Sequence, residues 1–201
     1  MHVEVVAYPP YREGLGSRTI ALDLPEDSQA VAPIRGRGQD VRERLQALTH
    51  IAAGGKVIRT HGDFHLGQTM LTEDRGWVIL DFEGEPARSL PERRLKRSPL
   101  RDVAGMLRSF SYAVAGARLL RGTEPPADWE DRARARFLAG YHATVDATLL
   151  PPGQQATDQL LSVFELEKAV YELRYELNNR PDWVAIPVAG VVRLLEMNGG
   201  T

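Results

Sequence analysis

Apolar residues with helical spacing fill the second half of this chain, and this pattern restricts its fold more than any other feature. It recurs in the segments 102–121, 129–149, 155–178 and 184–197, with prolines between the later ones. Apolar positions three and four residues apart lie on one face of an α-helix, where they can be buried together. We therefore predict four successive helices and a core that is mainly helical.

The N-terminal part follows a different pattern. The segment 1–39 is predicted to be irregular, and 40–51 to be a helix with Asp40 as its N-cap. Short apolar runs predict strands at 57–58, 69–72 and 77–82, and the last two can pair around a turn. The predicted fold class is therefore α+β, mostly α, with a small β hairpin.

Composition narrows the class of protein. The chain has 201 residues, of which 43% are hydrophobic and 26% charged, which is ordinary for one soluble domain. The net charge of -2 predicts neither a nucleic-acid nor a membrane partner. The absence of cysteine excludes disulfides and thiolate zinc sites. Because the N-terminus has no basic segment followed by an apolar run, we expect a cytoplasmic protein without a signal peptide.

Polar chemistry is concentrated in the loop HGDFHLGQ at 61–68. Asp63 could take the proton of an acceptor hydroxyl, and Gln68 could offer an oxygen to Mg²⁺. Asp81 ends the following strand, so a hairpin would bring its carboxylate back beside the loop. This set of groups suits phosphoryl transfer. In the plainer alternative, the two histidines cap strand ends and Asp63 makes an Asx-turn.

A second group of polar and aromatic residues lies on the third predicted helix. Glu172, Tyr175 and Glu176 share one helical face, and Trp183 follows just beyond the helix. Carboxylates and an aromatic plane are what a sugar site requires. However, charged residues recur every four positions from Lys168 to Arg180, and on spacing alone a surface salt-bridge ladder is the simpler interpretation.

The segment 88–101 is rich in arginine. It could contact phosphate or another lobe of the protein, or it could be a solvated basic loop, and the sequence favours neither. Ser98 and Pro99 suit the start of a helix, and Asp102 complements the helix dipole in its first turn.

The loop HGDFHLGQ, the motif DFEGEP and the segment SPLRDVAGMLRSFSYA together resemble the maltokinases, which belong to the aminoglycoside phosphotransferase and protein-kinase-like superfamily. The superfamily loop reads HGDxxxxN, and this chain has Gln68 in place of the asparagine. The resemblance spans roughly 57–187. It implies a protein-kinase-like C-lobe that uses ATP and Mg²⁺ to convert maltose to maltose 1-phosphate, on a bacterial route from trehalose to α-glucan.

The resemblance also implies roles for individual residues. Within a C-lobe at 40–201, it places the catalytic loop at 61–68, the metal motif at 81–86 and a helical acceptor-binding part at 101–197. The implied roles are Asp63 as catalytic base, Gln68 and Asp81 as Mg²⁺ ligands, Glu83 as a further group near the metal, His61 and Asp102 as supports of the loop, and His65, Glu172, Tyr175, Glu176 and Trp183 as sugar contacts. The segment that reads YE…NRPxW is similar in maltokinases and in glucosamine kinases.

One departure concerns the nucleotide. Kinases of this kind cover ATP with an N-lobe sheet that carries a lysine. Here the first lysine is Lys56, immediately before the loop, and no glycine-rich turn between strands precedes it. LGSRTIALDL resembles the start of the first C-lobe helix. We therefore expect an N-lobe that is largely absent, little activity of this chain alone, and a separate N-lobe or a trehalose synthase as partner.

Other functions stay open at this stage. The acceptor could be glucosamine, another sugar or an aminoglycoside. A metal-dependent hydrolase could use His61, Asp63, His65 and Asp81 as zinc ligands. The chain could also be a non-catalytic binding lobe.

Overall fold

The computed structural model describes residues 24–25, 28–46, 55–85 and 88–197. Their contacts group them into two compact units. Residues 55–152 form one unit, called here the loop unit. The described residues up to 46 and residues 153–197 form the other, called the helical unit.

The regular elements are mostly helical. In chain order the helices are α1 (Gly38–Gln46), α2 (Leu90–Arg93), α3 (Leu100–Arg121), α4 (Trp129–Thr144), α5 (Gln154–Asn179) and α6 (Ala185–Glu196). The strands are β1 (Thr69–Thr72) and β2 (Gly76–Ile79). Short 3-10 helices occupy Gln29–Ile34, Leu66–Gln68, Ala147–Leu149 and Pro181–Trp183. The predicted mostly helical α+β class with a small hairpin is confirmed.

β1 and β2 form an antiparallel hairpin in the loop unit. Thr69 pairs with Ile79 and Thr72 with Gly76, and Gly76 adopts the left-handed conformation that the tight turn requires (φ 68°). The second strand ends three residues before the predicted limit of 82. Pairing stops because Asp81 also has a positive φ, of 57°, which turns the chain out of the ladder. The strand predicted at 57–58 is reduced to a single bridge between Ile58 and Arg97.

The core of the loop unit forms on one face of α3. Apolar side chains of this face are buried, as the helical spacing predicted; they include Leu100, Val103, Met106, Leu107 and Phe110. The ring of Phe110 makes edge contacts with aromatic rings of α4. The predicted helix 129–149 ends at Thr144, because Val145 is extended and Asp146 starts a separate 3-10 turn by accepting a hydrogen bond from the Thr148 N–H (2.8 Å).

The helical unit packs α6 and α1 against α5. The stripe predicted on α5 is buried at Leu166, Val170 and Leu173. The prediction of an irregular chain up to residue 39 is wrong for 29–34 and for the start of α1. The 3-10 helix at 29–34 forms because Val31 and Ile34, both almost fully buried, pack against α6.

Several predictions fall outside the described residues. They concern the segment 1–23, which holds all of LGSRTIALDL except its last residue, and the end of the helix predicted over 40–51. Within the described ranges, no helix is long and apolar enough to cross a bilayer.

Candidate active site

The ring of His61 joins the 61–68 loop to the end of β2. His61 is 6% exposed. Its Nδ1 accepts a hydrogen bond from the Asp63 N–H (3.3 Å), and its Nε2 lies 2.7 Å from the Leu80 carbonyl oxygen. A carbonyl oxygen can only accept, so the Nε2 atom carries the proton and donates it. His61 therefore ties the backbone of Asp63 to the residue that precedes Asp81.

Two phenylalanines enclose the His61 ring. The ring centroids of Phe64 and Phe82 lie 5.5 and 5.0 Å from that of His61. Phe64 belongs to the loop and Phe82 to the motif DFEGEP. The imidazole is thus packed between the two segments that the sequence singled out.

Asp102 holds the start of the loop from the first turn of α3. Its carboxylate accepts hydrogen bonds from the backbone N–H groups of His61 (2.7 Å) and Gly62 (2.9 Å). Burial raises the pKa of this carboxyl, and the two N–H groups offset part of that rise. The loop support that the resemblance implied for Asp102 therefore corresponds to a pair of charge-assisted hydrogen bonds.

The loop and the DFEGEP segment approach each other backbone to backbone. Gly62 and Gly84 both have positive φ angles, of 86° and 79°. A Cβ atom on Gly62 would lie 3.3 Å from the Gly84 Cα atom. The positive φ favours glycine at both positions, and at Gly62 the close approach also leaves little room for a Cβ atom.

Gln68 and Asp81 are brought together at the base of the hairpin. The Gln68 side-chain amide donates to the Asp81 carboxylate (Nε2–Oδ2 3.2 Å). In the backbone, the Leu80 N–H donates to the Gln68 carbonyl oxygen (2.9 Å). Mg²⁺ prefers oxygen ligands, and the Asp81 carboxylate and the Gln68 side-chain carbonyl can both supply them. A rotation of the amide exchanges its nitrogen for its oxygen, so these two residues fit the metal role that the resemblance implied. Glu83 lies exposed two residues beyond Asp81.

Asp63 and His65 face each other across the loop. Their Oδ2 and Nε2 atoms are 3.8 Å apart. His65 Nδ1 accepts a hydrogen bond from the Gly67 N–H (3.0 Å), so its Nε2 carries the proton on the side of Asp63. The two side chains are only partly buried, with 21% of Asp63 and 40% of His65 exposed, which leaves both accessible to a ligand.

The zinc alternative loses one of its ligands in this arrangement. Both ring nitrogens of His61 are engaged by backbone groups, so neither is available to a metal ion. In the part of the chain that the structure describes, no group of three or more histidine, aspartate or glutamate side chains is arranged to hold a metal.

Apart from His65, the predicted sugar residues lie in the helical unit, around the end of α5. Glu172 and Glu176 are 8% and 1% exposed, whereas a solvated ladder would leave both exposed, so that interpretation is wrong for this pair. Glu176 accepts two hydrogen bonds from Arg180, from Nε (2.8 Å) and Nη2 (2.6 Å). The Arg180 guanidinium lies 4.8 Å from the ring centroid of Trp183 and 5.5 Å from that of Tyr175.

Two residues next to the loop carried no functional prediction. Ser109 accepts a hydrogen bond from the Leu66 N–H (3.2 Å), and Gly105 touches the carbonyl of Phe64. The available signal was their spacing from Asp102 along one face of α3, where both residues are small.

No protein-family model matches the chain. Among curated proteins, the glucosamine kinase of Streptacidiphilus jiangxiensis is 30% identical over 198 residues, which cover 96% of this chain and 40% of that protein. The glucosamine kinase of Mycolicibacterium smegmatis is 30% identical over 172 residues, which cover 84% of this chain and 42% of that protein. The chain thus spans about two fifths of the length of these relatives.

Solved structures that resemble this chain are also glucosamine kinases. One glucosamine kinase, in crystal form A, superposes with a TM-score of 0.67 at 26% identity, over 83% of this chain and 43% of that one. A glucosamine kinase in complex with glucosamine, ADP and inorganic phosphate gives 0.62 at 30% identity, over 83% of this chain and 41% of that one. The homologues of this chain are glucosamine kinases. The prediction that the chain resembles sugar kinases is therefore confirmed.

The finer part of the prediction is not supported. The glucosamine kinase matches favour the hexosamine alternative over maltose, and they give no support for a route from trehalose to α-glucan. The assignment to a protein-kinase-like C-lobe and the roles of individual site residues stay predictions.

Proposed function

We propose that this chain carries the catalytic loop of an ATP-dependent sugar kinase whose acceptor is an amino sugar of the glucosamine class. The observation that carries the proposal is the junction of the 61–68 loop with the hairpin, where Gln68 meets Asp81 and His61 ties Asp63 to the same strand end. The homology to glucosamine kinases supplies the reaction class.

Asp63 is the proposed base. It orients the acceptor hydroxyl and takes its proton as the oxygen attacks the terminal phosphate of ATP. His61 and Asp102 act on the loop backbone, and so hold the Asp63 carboxylate where the hydroxyl arrives. His65 presents an N–H on the same side, which can donate to a sugar oxygen.

Gln68 and Asp81 are the residues that would hold Mg²⁺. When bound, the ion supplies neutralising charge for the nucleotide phosphates. The contribution of the chain itself is the left-handed conformation of Asp81, which turns its side chain out of the strand and beside Gln68.

The acceptor residues favour an amine over neutral maltose. Glu172 places a carboxylate on α5, one turn before the Glu176 carboxylate that Arg180 already holds, and a carboxylate binds an ammonium group more strongly than a hydroxyl. Trp183 offers an aromatic plane for the apolar face of a pyranose ring.

The test is a comparison of acceptors on the purified chain. Calorimetry measures binding of glucosamine, maltose and an aminoglycoside, and a radiolabelled ATP assay with Mg²⁺ measures transfer to each. We expect glucosamine to bind more tightly and to be phosphorylated faster than maltose, even if transfer is slow. Maltose binding equal to or tighter than that of glucosamine contradicts the proposed acceptor.

Asp63→Asn tests the base. We expect transfer to fall by about 100-fold or more, because general-base catalysis contributes about 10² to 10⁴, while glucosamine still binds. The matched control is Asp74→Asn on the hairpin turn, where the carboxylate is 73% exposed and outside the site. Equal loss in both variants, or retained transfer in the Asp63 variant, argues against Asp63.

A further inference from the structure

We infer that one face of α3 is a template that sets the backbone path of the 61–68 loop, and that Gly105 and Ser109 are positioning residues for the reaction at Asp63. The inference rests on the proposed function, in which Asp63 is the base. It adds two residues that touch neither acceptor nor nucleotide in that proposal and act only through the loop backbone.

The three template residues lie on one side of the helix. Asp102, Gly105 and Ser109 are separated by three and four positions, which is the spacing of neighbours on a helical face. Their contacts follow the loop in order. Asp102 binds the N–H groups of residues 61 and 62, Gly105 meets the carbonyl of residue 64, and Ser109 accepts the N–H of residue 66.

Gly105 permits the closest of these contacts. A Cβ atom at this position would lie 2.6 Å from the Phe64 carbonyl oxygen, closer than such atoms approach in proteins. The obstacle is backbone, which cannot swing aside as a flexible side chain can. Glycine is unfavourable inside a helix, so its presence in the buried part of α3 marks a position where the neighbouring chain must come close.

Ser109 anchors the end of the loop. Its hydroxyl donates to the Met106 carbonyl (2.7 Å), which is one turn earlier in α3. With the proton used in this way, the lone pairs of Oγ are available to accept the hydrogen bond from the Leu66 N–H (3.2 Å). The hydroxyl is therefore oriented by its own helix before it binds the loop.

The positions of the anchors explain why they matter for chemistry. Asp63 lies between residue 62, which Asp102 binds, and residue 64, whose carbonyl lies against Gly105. His65 lies between residue 64 and residue 66, which Ser109 binds. A shift of the Phe64 carbonyl would therefore move both side chains. A misplacement of about 1 Å in a reacting group can lower a rate by about 100-fold.

Gly105→Ala is the direct test, with Gly140→Ala as its matched control. Gly140 lies within α4, and a Cβ atom there would meet nothing within 4 Å. We expect Gly105→Ala to lower kcat for amino-sugar phosphorylation by about 10- to 100-fold with little change in the sugar KM, and to accelerate amide hydrogen exchange at residues 61, 62 and 66. Gly140→Ala should leave kcat and loop exchange unchanged.

Ser109→Ala provides a second test that does not depend on accommodating a larger side chain. We expect faster exchange at the Leu66 amide and a lower kcat. The matched control is Ser111→Ala on the same helix, where the hydroxyl donates to Glu130 (2.6 Å) rather than binding the loop. If Gly105→Ala does not fold, this pair of variants decides the question.

The outcomes separate the two proposals. Unchanged loop exchange and unchanged kcat in both template variants overturn the template. If the wild-type chain transfers no phosphate and binds no sugar, but the variants still release the loop, the proposed function fails while the template stands as a device that orders the loop.

Discussion

Asp102 shows how a residue whose burial is costly for stability can still bind a loop that the sequence singled out. Its carboxylate is taken out of water at the start of α3, and burial raises its pKa. The same carboxylate is the shared acceptor for two backbone N–H groups of the 61–68 loop. A neutral side chain would avoid the cost of burying a charge, but it would leave one of the N–H groups without an acceptor.

The first prediction concerns the pH dependence of stability at Asp102. A raised pKa in the folded state means that folding favours the protonated carboxyl. Below the unfolded pKa, about 3.9, both states are protonated and there is no penalty. As pH rises from there through the higher folded pKa, the wild type should lose stability relative to Asp102→Asn, and the difference should then level off.

Denaturant unfolding of the wild type and of Asp102→Asn between pH 3.5 and 8 measures this difference. Asp74→Asn, at an exposed turn, serves as the control and should show little change over the same range. A difference that is constant with pH, or that moves in favour of the wild type as pH rises, would show that hydrogen bonding outweighs burial at Asp102.

At the scale of elements, the end of α5 is organised around Arg180. The helix ends at Asn179, and the Arg180 N–H still donates to the Glu176 carbonyl (2.8 Å). The guanidinium then binds the Glu176 carboxylate through two nitrogens and lies over the ring of Trp183. The ion pair therefore links the last turn of α5 to the short 3-10 helix that carries the aromatic side chain.

The second prediction is that this link depends on the guanidinium and not only on its charge. Arg180→Lys keeps the positive charge but loses the two-pronged contact and the flat surface that stacks on Trp183. We expect it to weaken glucosamine binding by about 10-fold, the equivalent of about 1.4 kcal/mol, and to shift the tryptophan fluorescence. Trp183→Phe identifies the contribution of that ring. Unchanged binding and unchanged fluorescence would contradict the role of Arg180.

The third prediction concerns the coupling of Arg180 with Glu176. The Glu176 side chain is 2% exposed but that of Arg180 is 45% exposed, so we expect a smaller effect than for a fully buried pair. A double-mutant cycle with Glu176→Gln and Arg180→Met, measured on the free energy of unfolding, should give a coupling energy of about 1 to 2 kcal/mol. A coupling near zero would mean that solvent screens the pair. Arg132 and Asp128, an exposed pair with the same four-residue spacing, provide the comparison.

At the scale of the whole molecule, the two kinds of chemistry belong to different units. The residues proposed for the nucleotide and for proton transfer lie in the loop unit, and those proposed for the sugar on α5 lie in the helical unit. The order of the chain does not mirror this division, because the helical unit joins residues before position 47 with residues after 152.

The fourth prediction follows from that division. Asp81→Asn should weaken Mg²⁺-dependent binding of ADP by about 10-fold or more, since it removes a charged metal ligand, and should leave glucosamine binding unchanged. Glu172→Gln should weaken glucosamine binding and leave Mg²⁺-dependent binding of ADP unchanged. Calorimetry on both variants measures the four affinities. If each variant weakens both ligands equally, the assignment of nucleotide and sugar to separate sets of residues is wrong.

The sequence by itself determined the helices from residue 100 onward, the hairpin and the composition of the loop. These depend on periodicity and on the chemistry of near neighbours, which can be counted along the chain. Resemblance then supplied the reaction class, but it favoured maltose, because segments such as YE…NRPxW are similar in both kinds of kinase.

Only the tertiary structure decided what each polar group binds. Asp102 is 41 residues from His61 in sequence, and the two are in contact because the chain folds back and packs the start of α3 against the 61–68 loop. The same return brings Gly105 against Phe64 and Ser109 against Leu66. The burial of Glu176, which distinguishes an oriented ion pair from a surface ladder, likewise depends on what packs around α5. Periodicity indicates which residues share a face, whereas the partner of that face is set by how distant segments pack.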